Sequence, residues 1–149
     1  MNISDQINED LKAAMRSKDK ITLEALRAAK TAFTLARTQG GSKELNEADE
    51  LKIIQKLVKQ RNDSATIYRE QARDDLYQKE IAEAKVLEKY LPEKMSTDEL
   101  TDYLKKLIQN LGASGPQDMG KVMGTATKEL AGKADGKEIS AIVREILSK

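Results

Sequence analysis

NEADELKIIQKLVKQRNDSATIYREQA, residues 46–72, decides the fold class of this chain. Apolar residues recur in it in steps of three and four, which is the spacing of a helix stripe that packs against another helix. The stripe consists of Leu51, Ile54, Val58, Ala65, Tyr68 and Ala72. Asn46 followed by Asp49 resembles a capping box, so we predict a helix over about residues 47–72.

Arg61 interrupts this apolar stripe, and two interpretations of it are open. In the one we favour, the long side chain extends along the helix pair and keeps its charge in water at the edge. In the other, Arg61 is buried and pairs with an acidic residue. The two interpretations differ in whether an ion pair lies inside the bundle.

The same spacing of apolar residues extends over almost the whole chain, and alternating runs of β-branched residues are absent. We therefore predict an all-α protein. The predicted helices span about 3–17, 20–39, 47–72, 74–91, 97–111, 116–131 and 136–149. Ser4 or Asp5 is expected to cap the first helix, and Gly40-Gly41 to end the second.

Pro92 marks a boundary between two helical units. The residue before a proline is pushed out of the helical region of backbone space, so a helix ends here. Ser96 and Glu99 then form a new capping box at the start of another helix. We predict an N-terminal helical bundle over residues 1–91, followed by a small three-helix C-terminal domain over residues 92–149.

The composition excludes most catalytic and metal chemistries. The 149 residues include no Cys, His or Trp, which removes disulfides, thiolate nucleophiles, histidine bases and zinc sites of the Cys/His type. Acidic pairs such as Asp49-Glu50 and Asp74-Asp75 point about 100° apart on a helix and lack a third converging ligand. We therefore predict no catalytic residue, no bound metal and no cofactor.

Charge and hydropathy limit which binding partners and which cellular locations fit this chain. The chain has 26 Lys and Arg residues and 25 Asp and Glu residues, so its net charge of +1 gives no overall attraction to DNA or to an acidic membrane. No run of about 18 apolar residues is present, and Asp5, Glu9 and Asp10 interrupt the apolar core that a signal peptide needs. We expect a cytoplasmic protein with no DNA and no membrane partner, and any nucleic-acid site has to be local.

DMGKVMGTATKELAGKADGKE, residues 118–138, holds the candidate site. At 100° per residue, Gly120 and Gly124 lie on a stripe of small residues, with Lys121 and Lys128 along its edge. A glycine inside a helix costs about 1 kcal/mol relative to alanine, so two of them four residues apart indicate a close approach to the backbone. We call this stripe the glycine notch.

Two explanations of the glycine notch are open, and they are not exclusive. The first, which we favour, places another helix of the same protein in it. The second places a nucleic-acid backbone or a partner protein there, with lysines on phosphates and glycines that allow a close approach.

The lysines of this candidate site are Lys121, Lys128, Lys133 and Lys137, and its glycines are Gly120, Gly124, Gly132 and Gly136. Residues 116–149 include six basic and five acidic residues, which predicts at most a weak electrostatic attraction of an anionic partner.

Six stretches of the sequence resemble the GatB/YqeY family across nearly the whole chain. They are NEDLKAAMRSKDK at 8–20, LRAAK at 26–30, VKQRNDS at 58–64, EKYLPEKMSTDEL at 88–100, DMGKVMG at 118–124 and GKADG at 132–136. The last three are specific in this order and spacing. The chain is similar to the stand-alone, YqeY-like members of the family.

The resemblance implies two helical domains, in agreement with the layout predicted from periodicity. A similar C-terminal domain ends the B subunit of glutamine-dependent tRNA amidotransferases and helps to hold the tRNA. The resemblance also associates the chain with carbon–nitrogen ligases that use glutamine as amide donor. The positions shared with that domain are Asp118 to Gly124 and Gly132 to Gly136. The sequence does not include the large catalytic body of that subunit.

We therefore predict a non-catalytic adaptor that binds tRNA, or a tRNA-handling protein complex, through the sixth helix and residues 132–136. The alternative is a protein–protein interaction module of aminoacyl-tRNA metabolism that does not contact RNA. An independent enzyme would need chemistry without His or Cys, and it has little support.

Overall fold

The computed structural model describes residues 2–39 and 44–149, and these form seven α-helices and one short 3-10 helix. The helices are α1 (Ile3–Ser17), α2 (Lys20–Gln39), α3 (Glu47–Glu70), α4 (Asp74–Glu88), α5 (Thr97–Leu111), α6 (Met119–Glu129) and α7 (Gly136–Leu147). No strand occurs among the described residues, and the prediction of an all-α protein is confirmed. The predicted stop of the second helix at Gly40-Gly41 lies outside the described residues.

Both predicted capping boxes are formed. The side chain of Asn46 accepts a hydrogen bond from the backbone N–H of Asp49 at 2.8 Å, and the hydroxyl of Ser96 accepts one from Glu99 at 3.1 Å. In each box the acidic side chain accepts in return from the N–H of the capping residue. These helix starts depend on residues three apart in the chain, which is why the sequence predicts them.

The first helix has a different cap from the one predicted. The side chain of Asn2 accepts a hydrogen bond from the N–H of Asp5 at 2.7 Å, while Ser4 and Asp5 lie inside the helix. The N–H of Ser4 donates instead to the carboxylate of Glu50 on α3, at 3.1 Å. Asparagine caps helices as well as serine or aspartate, so the local rule permitted all three positions.

α3 ends earlier than predicted because Ala72 leaves the helix with a φ of +56°. The N–H of Ala72 donates to the carbonyl of Arg69, and the N–H of Arg73 donates to the carbonyl of Tyr68. These hydrogen bonds close the helix end in a pattern that usually has glycine at the left-handed position. Ala72 is therefore exposed in a turn and does not belong to the apolar stripe. α4 starts directly after this turn.

The sixth helix is shorter than predicted and begins differently. Pro116–Asp118 forms a 3-10 turn, and the α-helix starts at Met119. The carboxylate of Asp118 accepts a hydrogen bond from the N–H of Ser114 at 2.9 Å, which holds this turn. After the helix, Gly132 takes a φ of +79° and redirects the chain toward α7.

The helices group into two compact units, one within residues 1–91 and one within residues 92–149. In the first unit, α3 and α4 form the most extensive helix pair, and α2 packs on both α1 and α4. The apolar core of this unit consists of Ile3, Ile7, Leu11, Ala25, Leu26, Ala29, Phe33, Ile54, Val58 and Leu87. Glu50 and Glu83 are buried in this unit as well.

The second unit is a bundle in which α5, α6 and α7 contact one another. Its core includes Leu100, Leu104, Val122, Ala126, Ile139 and Val143. This packing fixes one side of α6 against its neighbours. No helix within residues 2–39 and 44–149 is long and apolar enough to cross a membrane.

Candidate nucleic-acid interface

The glycine notch of α6 is open. A Cβ atom built on Gly120 or Gly124 would meet no neighbouring atom within 4 Å. Neither glycine has a positive φ, so the backbone conformation does not require glycine at these positions. No segment of the described chain fills the notch, and the explanation we favoured, an internal helix, is wrong. Neither packing within the described chain nor backbone conformation accounts for the two glycines.

The four glycines of the candidate site divide into two groups. Gly136, the first residue of α7, is open in the same way as Gly120 and Gly124. Gly132 is buried, and its φ of +79° is one that favours glycine. The structure therefore assigns Gly132 to the shape of the turn, and only the other three leave room for a close approach from outside.

Lys121 differs from the other lysines of the candidate site because it contacts the chain. Its Nζ donates a hydrogen bond to the carbonyl of Leu111 at 3.1 Å. Leu111 is the last residue of α5, where helix carbonyls have no partner within the helix. Lys121 thus ties α6 to the end of α5, in addition to any role at the surface.

Lys128, Lys133 and Lys137 are exposed, and their ammonium groups form no ion pair or hydrogen bond within the part of the chain that the structure describes. Lys128 lies in the last turn of α6, Lys133 in the connection that follows, and Lys137 in the first turn of α7. These cations are available to an external anion. We define the glycine–lysine surface as Gly120, Gly124, Lys128, Lys133, Gly136 and Lys137.

The connection between α6 and α7 is held by the segment that leads into α5. The N–H of Met95 donates to the carbonyl of Lys133 at 2.9 Å. The hydroxyl of Thr97 donates to the carboxylate of Glu138 at 3.1 Å. Both contacts join residues about 40 positions apart in the chain. Tertiary contacts therefore fix the position of the backbone around Lys133.

The acidic residues of this region interact with the chain itself. Asp118 accepts from the N–H of Ser114, and Glu129 accepts from the hydroxyl of Tyr103. Asp135 caps α7. Their negative charges remain, so the region stays close to neutral, and an anion would depend on local contacts with unpaired cations such as the three free lysines.

A family model described as Yqey-like protein matches residues 4–147. The match includes α6 and the residues 132–136 that follow it. The chain belongs to the YqeY-like family. The resemblance carried by the sequence motifs is therefore confirmed, and the open glycines lie within the DMGKVMG and GKADG motifs of a YqeY-like protein.

This YqeY-like chain is similar to fungal proteins named altered inheritance of mitochondria protein 41, mitochondrial. The protein of Pyrenophora tritici-repentis is 29% identical over 95% of this chain and 79% of its own length. The protein of Candida glabrata is 33% identical over 73% of this chain and 64% of its own length. The protein of Kluyveromyces lactis is 29% identical over 89% of this chain and 69% of its own length.

The names of these relatives refer them to mitochondria, and the prediction of a cytoplasmic protein is wrong on this finding. The prediction rested on the lack of a secretory signal and of a membrane-spanning segment. These two features do not distinguish one aqueous compartment from another, because a protein of the mitochondrial interior can lack both.

A second feature of this YqeY-like chain lies in the first unit, at Arg61. Its side chain is only 16% exposed, and its Nε lies 4.0 Å from a carboxylate oxygen of Glu83 on α4. The structure goes against the interpretation we favoured, a side chain that extends into water, because Arg61 is mostly buried and faces the buried carboxylate of Glu83 at the limit of an ion pair. No sequence signal marked Glu83, since acidic residues on helices are mostly exposed.

The glycine–lysine surface thus consists of three glycines with open space around them and three exposed lysines. Within residues 2–39 and 44–149, no group of three or more His, Cys, Asp or Glu residues is placed to hold a metal ion.

Proposed function

We propose that this YqeY-like chain is a non-catalytic adaptor that binds tRNA, or a tRNA-handling complex, through the glycine–lysine surface. The observation that carries the proposal is the open notch at Gly120 and Gly124, which pack against nothing in the described chain. Each glycine costs α6 about 1 kcal/mol relative to alanine. A molecule that approaches the helix backbone from outside accounts for that cost.

The three free lysines support phosphate as the group that approaches. Lys128, Lys133 and Lys137 follow one another along the chain from the end of α6 to the start of α7, and all three are exposed. Contacts to phosphate position a protein on a nucleic acid without reading its sequence. Because the region is near neutral, we expect few phosphate contacts and therefore weak, salt-dependent binding. Such binding suits a protein that holds tRNA for another component.

In this proposal the chain is connected with carbon–nitrogen ligases only because it would bind the tRNA, and it performs no ligase step itself. The related domain of the amidotransferase B subunit serves to hold tRNA, and the glycine–lysine surface contains no nucleophile or general base beyond lysine itself. We accordingly assign no catalytic residue to this chain.

A partner protein is the second candidate, and the spacing of Gly120 and Gly124 favours it. Two small residues four apart lie on one side of a helix, so the backbone of a second helix can come close to them. In this arrangement the lysines lie around the contact, and RNA is not required.

Binding of labelled bulk tRNA, measured by fluorescence anisotropy at about 50 and 200 mM salt, tests the first proposal. Replacing Lys133 and Lys137 together by Ala should weaken binding, because both cations would leave the phosphates. The salt slope should become shallower by roughly one unit for each phosphate that no longer has a lysine beside it. The fold should persist, since exposed substitutions change stability by only about 0.5 kcal/mol.

Lys105 and Lys106, two exposed lysines of α5, provide the matched control. Their double replacement by Ala removes the same charge from the same unit and should leave the affinity near that of the parent. Gly124→Leu should block binding without unfolding, because the notch is open. Equal affinities in the two lysine variants, or no binding by the parent at low salt, would contradict the RNA proposal.

A further inference from the structure

The helical hairpin of α1 and α2 concentrates positive charge in a chain that is close to neutral. Residues 11–39 include seven basic and two acidic residues, a net charge of +5, whereas the whole chain has +1. The basic residues are all exposed, and they are Lys12, Arg16, Lys18, Lys20, Arg27, Lys30 and Arg37. None of them belongs to the glycine–lysine surface.

Both acidic residues of this segment already have partners elsewhere. Asp19 caps α2, because its carboxylate accepts the N–H of Thr22 at 3.2 Å and the hydroxyl of Thr22 at 2.7 Å. Glu24 pairs with Lys79 on α4 at 3.0 Å. Five cations of the hairpin form no side-chain ion pair or hydrogen bond within residues 2–39 and 44–149, namely Arg16, Lys18, Lys20, Arg27 and Lys30.

Three of these cations share one side of α2 with three threonines. Spacings of three, four and seven residues place side chains on the same side of a helix. The residues are all exposed, and we define the α2 basic face as Lys20, Arg27, Lys30, Thr31, Thr34 and Thr38. At 1.5 Å per residue, this face extends about 27 Å along the helix. The opposite side of α2 packs into the core of the first unit through Ala25, Leu26, Ala29 and Phe33.

The charge of the α2 basic face lowers the stability of the helix itself. Arg27 and Lys30 are three residues apart, and like charges at this spacing on a helix repel each other. Lys20 is the first residue of α2, where the positive end of the helix dipole disfavours a cation. The described chain offers these cations no anion in return. An anion from outside would account for their position.

A row of cations and short hydroxyl side chains suits a polymer of phosphates. Contacts to nucleic-acid phosphates come mainly from Arg and Lys and from small polar side chains such as Thr. A helix that lies on a membrane needs an exposed apolar face, and the apolar face of α2 is buried in the core. The exposed apolar residues of α2, Ile21 and Leu35, are about 21 Å apart along the helix and form no continuous patch.

We propose that the α2 basic face binds the phosphate backbone of RNA, as a contact surface separate from the glycine–lysine surface. The choice of RNA as the anionic polymer rests on the proposed function, whereas the charge and geometry of the α2 basic face do not.

Anisotropy of labelled bulk tRNA at about 50 and 200 mM salt tests the proposal on the double variant Arg27→Gln/Lys30→Gln. Binding should weaken several-fold, and the salt slope should become shallower by roughly one unit for each phosphate contact that is lost. The free energy of unfolding in urea should stay the same or rise, because the repulsion between the two cations is removed. Lys20→Gln is a second variant that should change binding and stability in the same directions.

Lys52→Gln/Lys56→Gln is the matched control, since it removes two exposed cations from α3 in the same unit. It should bind tRNA as the parent does. Equal affinities of the control and the Arg27/Lys30 variant overturn the proposal.

The two RNA surfaces are distinguished by comparing the Arg27/Lys30 variant with the Lys133/Lys137 variant described above. Weaker binding only in the Lys133/Lys137 variant overturns this proposal and leaves the glycine–lysine surface in place. Weaker binding only in the Arg27/Lys30 variant supports this proposal and contradicts the other surface. No tRNA binding by the parent at low salt overturns both.

Vesicles of phosphatidylcholine and phosphatidylserine in equal parts test a membrane as the alternative partner. If the Arg27/Lys30 variant loses binding to these vesicles and keeps the tRNA affinity of the parent, the face belongs to a membrane contact and the proposal is overturned.

Discussion

Glu50 is a charged residue that the fold removes almost completely from water, with 2% of its surface exposed. Its carboxylate accepts the N–H of Ser4 at the start of α1, where helix N–H groups lack partners. Burial raises the pKa of Glu50 more than this hydrogen bond and the charge of Arg37 lower it. The folded state therefore favours the protonated form relative to the unfolded chain.

This shift predicts the sign of the pH dependence. Just above the ordinary Glu pKa of 4.5, the folded protein binds more protons than the unfolded chain, so the free energy of unfolding falls as pH rises. Glu50→Gln keeps a side-chain oxygen that can accept the N–H of Ser4, but the amide does not ionise in this pH range. We expect this variant to be at least as stable as the parent at about pH 7, with a smaller loss of stability between about pH 5 and 7. Urea unfolding across this range measures both.

Glu44→Gln serves as the control because Glu44 is exposed, and its pH profile should match that of the parent. Burial also raises the pKa of Glu83, so part of the slope should persist in Glu50→Gln. A variant that is less stable than the parent at neutral pH, with an unchanged slope, would show that the carboxylate charge of Glu50 stabilises the fold.

At the scale of single elements, α6 has a composition that lowers its own stability. Gly120 and Gly124 are helical, have ordinary φ angles and leave open space around an added Cβ. Replacing both by Ala should raise the free energy of unfolding by about 1 kcal/mol for each, because alanine loses less backbone entropy in a helix. Thermal or urea unfolding measures the gain.

Gly112→Ala provides a contrast, because Gly112 has a φ of +66° and a side chain there is strained despite the open space. That variant should lose stability. A loss in the Gly120/Gly124 double variant as well would show that these glycines have a role within the folded chain and would remove the argument for an external partner.

The sequence predicted most elements because their signals are local. The capping boxes at Asn46 and Ser96 each depend on residues that are three apart in the chain. The left-handed turn at Ala72 was missed, because alanine is a good helix former and non-glycine residues rarely take a positive φ. Arg61 was misjudged because its partner Glu83 lies 22 residues further along on another helix.

At the scale of the whole molecule, the prediction of two domains can be tested by proteolysis. Glu93 and Lys94 are exposed and lie outside any helix, at the junction of the two compact units. Trypsin should cleave after Lys94 before it cleaves within any helix, because a protease needs extended, accessible backbone. Mass spectrometry of early products identifies the site.

Lys94→Ala should slow that first cleavage while leaving later fragments unchanged. Calorimetry gives an independent readout, because two semi-independent units should unfold in more than one transition. Resistance at Lys94 together with a single cooperative transition would mean that the chain behaves as one domain.

The candidate site was only partly accessible to sequence reasoning. The periodicity of α6 placed Gly120, Gly124, Lys121 and Lys128 along one side of a helix, but it could not show whether a neighbour covers them. The contact of Lys121 with Leu111 and the burial of Gly132 depend on how the helices pack. Of the eight candidate residues, six form the glycine–lysine surface. Lys121 also contacts the end of α5, and Gly132 is left out because it shapes the turn.

The short turn between α3 and α4 has a consequence for how quickly the first unit folds. Only residues 71–73 separate two helices that form its most extensive pair, so joining them costs little loop-closure entropy. Helices form in about a microsecond, and proteins dominated by such local contacts fold in microseconds to milliseconds. We therefore expect this hairpin to form early on the folding pathway and to present a surface against which α2 packs.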